Sequence, residues 1–133
     1  MWHRDTGSDE PRELGRINDR LAALIAERTS ARMVRVSARV ERHYREHASE
    51  FDMARAEAML PTMIADPRAV YVGRKLNSLV FVDDWDTAYL LAASIKALPG
   101  ELWLETLYVT RTQRFLRRRW TQHGPLYVRL EKM

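Results

Sequence analysis

Thr87-Ala88-Tyr89-Leu90-Leu91-Ala92-Ala93-Ser94-Ile95-Lys96-Ala97-Leu98 is the stretch on which the fold turns. Ala88, Leu91, Ala92, Ile95 and Leu98 fall on one stripe of a helical period, and the composition favours helix. Tyr89, Leu91, Ala93 and Ile95 alternate equally well, as a half-buried strand would. Spacing alone leaves both open. As a strand, the segment completes an antiparallel meander of four with short turns between each pair.

Its neighbours are plainer. Ala69–Val72 and Ser78–Val82 are β-branched and aromatic, with a turn region at 73–77 between them and Asp83-Asp84 closing the second. Leu102–Val109 is another strand, opened by Pro99-Gly100, and Leu126–Leu130 suits an edge strand. Upstream the pattern is helical. Pro11 suits a first helical position, and Leu14, Ile17, Leu21, Leu24 and Ile25 predict one apolar face through about Arg28. Met33–Val36 reads as a short strand or an extended lead-in. Ser37 is a candidate N-cap for a helix to about Ala48, and Asp52 for one through Met59. Pro61 starts one more turn, which Asp66-Pro67 ends. Trp85 and Trp103, with Leu79 and Phe81, are expected in the core.

With 133 residues the chain suits a single domain over 11–133, after a polar leader at 1–10. It lacks an apolar run of membrane-spanning length, so no membrane partner is expected. The absence of cysteine excludes disulfides and thiolate metal sites and suits a reducing cytoplasm. The formal net charge is +4, and of 22 basic residues only Lys75, Lys96 and Lys132 are not arginine. Arginine favours forked contacts to phosphate and stacking on rings.

That excess is densest in Thr110–Trp120, where Arg111, Arg114, Arg117, Arg118 and Arg119 occur without a carboxylate and with Phe115 and Trp120 interleaved. Such a run attracts a phosphate backbone with stackable bases. It also fits a short helix with Phe115, Leu116 and Trp120 on one face and solvated arginines on the other, offset by carboxylates elsewhere or by an acidic partner protein.

Two segments carry a family resemblance: Val34-Arg35-Val36-Ser37 followed by His43-Tyr44-Arg45-Glu46-His47, and Ile64–Val70 leading through the strands to Thr106–Thr110. In this order they resemble the phage-associated branch of the barnase/EndoU/colicin/RelE-like nucleases, over roughly residues 33–112. The resemblance implies helices before a four-stranded antiparallel meander, and so a strand at 87–98. It also implies metal-independent RNA cleavage by a toxin or phage effector. The fold class expected is therefore α+β, with N-terminal helices packed on that meander and a short basic C-terminal helix.

Cleavage without a metal uses the ribose 2′-hydroxyl as nucleophile, so the enzyme must move two protons and stabilise charge on phosphorus. His43 and His47 are the proton-transfer candidates, four apart on one helix face, while Arg45 points elsewhere. Glu46 is the acidic residue beside them. Arg74, Lys75, Arg45 and Arg111 are candidate phosphate contacts, and Thr110 and Thr112 candidate orienting hydroxyls. Tyr44, Tyr108 and Trp120 are candidates for stacking a base. His43 to His47 also spells H-x-x-E-H, the inverted zinc-peptidase pattern. That chemistry needs a distant carboxylate ligand, for which Glu101 and Glu105 sit on or beside a predicted strand, and a larger framework. No metal and no cofactor are expected.

The sequence thus predicts a small RNA endonuclease acting on tRNA or mRNA, with a cognate inhibitor protein as a possible partner. The alternative is a non-catalytic module on the same scaffold, such as a phage-encoded inhibitor, binding nucleic acid or protein through 111–119.

Overall fold

A computed structural model describes residues 10–46, 49–120 and 124–130, with the side chains of Arg119 and Trp120 outside that description. Apart from Glu10, the expected leader falls outside it too. Seven strands form one mixed sheet in the order β1-β2-β6-β5-β4-β3-β7. They are β1 (Arg12–Arg16), β2 (Met33–Val36), β3 (Ala69–Val72), β4 (Ser78–Asp84), β5 (Tyr89–Leu98), β6 (Glu101–Arg111) and β7 (Tyr127–Val128). Four helices accompany them: α1 (Asp19–Leu24), α2 (Ala38–Arg45), α3 (Met53–Ala65) and α4 (Thr112–Trp120).

This corrects the expected architecture. The segments at 69–72, 78–84, 89–98 and 101–111 are antiparallel neighbours, but they are the middle of a larger sheet rather than a four-stranded meander. The helices do not form an N-terminal layer, because β1 and β2 alternate with α1 and α2. β2 pairs with β6 in parallel, which makes the sheet mixed.

The largest local difference is at the start, where a helix over 11–28 was expected. Residues 12–16 are instead a strand paired antiparallel to β2, and α1 begins only at Asp19. Two residues explain this. Gly15 lies against α3, where an added Cβ would stand 3.3 Å from the backbone of Pro61. Asn18 caps α1, its side chain accepting the Leu21 N–H at 2.8 Å, so the helix starts after it. The other caps are as read: Ser37 accepts from Val40 N at 3.1 Å and Asp52 from Arg55 N at 3.1 Å. α3 runs on through Pro61 to Ala65.

One sheet face carries the main core. Leu79, Phe81, Leu91, Ile95, Leu104 and Leu107 pack there with Leu21 and Ile25 from the α1 region, Tyr44 of α2, and Leu60, Met63 and Ile64 of α3. The opposite face is covered at one end by α4, where Phe115 joins Tyr71, Val80, Val82, Leu90 and Ala92 and meets the Tyr71 ring edge-on at 5.2 Å. Leu90 to Ala93 are consecutively buried because β5 is central and covered on both sides there. Beyond α4 the described residues leave this second face open. Trp103 is on it, half-buried, with its indole N–H donating to Glu101 at 2.9 Å rather than packing in the core as expected. Trp85 packs at the core's margin, edge-on to Phe51. Among the described residues no helix is long and apolar enough to cross a membrane.

Candidate active site

The open sheet face holds a cleft of about 560 Å³ lined by Arg39, Val40 and His43 of α2, Arg74 and Lys75 of the β3–β4 turn, and Glu105, Thr106 and Tyr108 of β6. Gly73, Ser78, Val80 and Ser94 complete its walls. Each element is placed by local chemistry. β2 pairs with β6 only opposite Leu102 and Trp103, then ends, and α2 takes its place beside the rest of β6. Residues four apart share a helix face, so Arg39 and His43 reach the cleft together.

The turn carrying Arg74 and Lys75 is held tightly. Gly73 N–H donates to Ser78 O at 2.8 Å, Ser78 N–H to Lys75 O at 3.1 Å, and Ala97 N–H to Asn77 O at 2.7 Å. Asn77 takes a positive φ of 64°, a conformation asparagine tolerates better than most residues. A side chain at 73 would collide with Ser78, so glycine lets the turn close onto the sheet. Ser78 and Ser94 stand with their hydroxyls 3.3 Å apart on the cleft floor.

Glu105 reaches the cleft through a β-bulge. Thr106 pairs with Ser94 and Leu104 with Ile95, so Glu105 is the extra residue between them. Leu104 and Leu107 both belong to the core, which turns Glu105 and Thr106 together to the other face. Bulges re-aim side chains in this way and are frequent beside active sites. Sequence reasoning reaches Glu105 only as a distant zinc ligand, not as a residue of this cleft. The signal is present in the sequence, because the apolar alternation of β6 runs 102, 104 and then 107, 109, slipping phase at 105–106.

The cleft's cations differ from the arginines that fasten the fold together. Among the described residues, ion pairs engage Arg12, Arg32, Arg35, Arg45, Arg68 and Arg129, but none engages Arg39, Arg74, Lys75 or Glu105. Three cations and one carboxylate therefore line one cleft, with an imidazole beside them that is two-thirds exposed. His43 Nδ1 lies 3.8 Å from Glu46 Oε1 on the same helix.

The other predicted site residues divide. His43, Arg74 and Lys75 come together, and Tyr108 lines the same cleft. His47 lies outside the described residues. Arg45 is turned away and binds Glu57 through two hydrogen bonds, at 2.9 and 2.8 Å, and Glu41 at 3.3 Å. Tyr44 is buried rather than available to a base, and burial, reinforced by the charges of Glu57 and Glu41, pushes its hydroxyl up to about 12. Thr110 pairs with Leu90 further along β6 and does not line the cleft. Thr112 instead donates its N–H to Ala88 O at the start of α4. Arg111 sits at the end of β6 with its guanidinium 5.6 Å from the centre of the Tyr89 ring. Arg114, Arg117 and Arg118 lie on the exposed side of α4, whose Phe115 is buried. The side chains of Arg119 and Trp120 lie outside the described residues. Sequence reasoning does not single out Arg39; its place one helical turn before His43 is the signal that points to it. Among the described residues no group of three or more His, Asp or Glu side chains is arranged to hold a metal ion.

Compared with known protein families, curated proteins and solved structures, the chain matches none.

Proposed function

We propose that this protein is a small RNA endonuclease that cleaves by attack of the ribose 2′-hydroxyl. The observation that carries the reading is the cleft in which Glu105 and His43 meet Arg39, Arg74 and Lys75. A carboxylate and an imidazole supply the two proton transfers, and the cations supply charge stabilisation. Glu105 takes the proton of the 2′-hydroxyl as its oxygen bonds to phosphorus. His43 gives a proton to the departing 5′-oxygen as the P–O bond breaks. The products are a 2′,3′-cyclic phosphate and a free 5′-hydroxyl, so atoms and charge balance with no metal in the scheme. Arg39, Arg74 and Lys75 hold the phosphoryl oxygens while negative charge builds on them. Tyr108 and Thr106 form the wall against which the adjoining nucleoside rests. The toxin-like role suggested by the resemblance fits a cationic cleft that an acidic inhibitor protein could cover.

The test uses purified protein, tRNA and single-stranded RNA in EDTA, beside Glu105→Gln and His43→Ala. Wild type should give fragments with 2′,3′-cyclic phosphate ends, and each variant should be slower by about 100-fold or more. Intact RNA with the wild type, or variants that cleave at the wild-type rate, would sink the reading.

A further inference from the structure

One row along the same sheet face lies a feature the cleavage scheme does not use. Arg35 of β2, Trp103 of β6, Lys96 of β5 and Ser78 of β4 stand opposite one another in a continuous cross-strand row. Ser78 is also a wall of the cleft, so the row abuts it. Val34, Ile95, Ala97, Leu102 and Leu104 belong to the core, so their strand neighbours Arg35, Lys96 and Trp103 project from the open face. Arg35 and Lys96 are exposed on either side of the half-buried indole. Glu101, accepting the indole N–H at 2.9 Å, fixes the ring's orientation. Arg35 approaches Glu13 only at 3.7 Å, with both side chains at least half exposed, a solvated pair that a phosphate can displace. Beyond Trp103, Arg16 joins Arg35 around a hollow of about 270 Å³.

From Ser94 in the cleft to Lys96 in this row is a two-residue step along β5, about 7 Å, which is of the order of one nucleotide. An oriented ring between two cations, one step from a phosphate-holding cleft, has the chemistry of a base-stacking platform. We propose that Trp103 stacks the base of the next nucleotide along the strand, beyond the two joined by the scissile phosphate, with Arg35 and Lys96 holding the flanking backbone of single-stranded RNA. This deepens the endonuclease reading and rests on it.

The experiment compares wild type, Trp103→Ala and Trp103→Phe on a dinucleotide and on a hexanucleotide RNA. It also measures binding of a labelled hexanucleotide by fluorescence anisotropy, with thermal melts to verify folding. Trp103→Ala should lower kcat/KM on the hexanucleotide and weaken its binding, each about tenfold. Dinucleotide cleavage should stay within about twofold, and Trp103→Phe should recover most of the loss. Equal losses on both lengths, or unchanged hexanucleotide binding, would overturn the platform while leaving the endonuclease standing. If wild type cleaves neither substrate, the endonuclease reading fails by itself. The binding arm then still decides: a ring-dependent tenfold loss supports the platform, and its absence removes it.

Discussion

The two sides of α2 use similar residues to opposite ends. On one side, Glu41 and Arg45, four apart, meet Arg12 of β1 and Glu57 of α3 in a closed network. On the other, Arg39 and His43, also four apart, face the cleft beside Glu105, and no ion pair among the described residues engages Arg39. The first arrangement spends its charge internally, fastening the helix to its neighbours. The second leaves charge available to a ligand. Arginine content alone says nothing about binding; what matters is whether a carboxylate of the same fold already holds the guanidinium.

The strongest way to break this comparison is to cross activity with stability. His43→Ala should reduce RNA cleavage about 100-fold while shifting the unfolding free energy by no more than about 0.5 kcal/mol. Arg45→Ala should do the reverse, costing about 1 kcal/mol of stability and changing cleavage less than about twofold. Comparable activity losses would show that the two sides are not distinct. A finer test removes the cleft cations singly. Arg39→Ala, Arg74→Ala and Lys75→Ala should each weaken binding of single-stranded RNA and flatten its log affinity against log salt by about 0.7. Arg12→Ala, on the network side, should leave that slope unchanged.

Acid unfolding sharpens the network side. The Glu57 carboxyl is held below its ordinary value of 4.5, first by the Arg45 hydrogen bond and in smaller part by Arg45 and Arg12 charge, against an opposing effect of burial. Its folded pKa is therefore depressed. The stability it contributes is fully present above the unfolded value and is lost as pH falls through the folded one. Denaturation followed from pH 6 to pH 2 should show a shallower acid loss, by about 1 kcal/mol, in Glu57→Gln than in wild type. The smallest effect concerns Tyr44, whose buried hydroxyl has no hydrogen-bond partner among the described residues. Tyr44→Phe removes that group and should leave stability unchanged or raise it by about 1 kcal/mol; a clear loss would reveal a partner.

Much of the sheet was legible because its strands are β-branched and bounded by turns, as at Ala69–Val72 and Ser78–Asp84. β5 was ambiguous for a physical reason. Buried on both faces between Leu90 and Ala93, it loses the alternation that marks a half-exposed strand. β1 was misread because Leu14, Ile17 and Leu21 keep helical spacing while belonging to a strand, a linker and a helix that share one core. The contact of Gly15 with Pro61 and the Asn18 cap of α1 separate them. Of the candidate site, His43, Arg74 and Lys75 were found as residue types suited to the chemistry. Glu105 needed the register of β5 against β6, and the commitment of Arg45 to Glu57 needed α3 beside α2. Both are relations between distant segments, which a single sequence records weakly.

The bulge in β6 has a consequence for how such a protein can change. Leu104, Thr106 and Leu107 would alternate regularly if Glu105 were absent, keeping both leucines in the core and Thr106 on the open face. The only carboxylate lining the described cleft thus occupies an insertion of one residue, which the surrounding strands do not need for their pairing. On the proposed endonuclease reading, losing that one residue removes the general base and leaves the architecture intact. Descent from a cutter to a mere binder would then be a short step, with little cost to folding along the way.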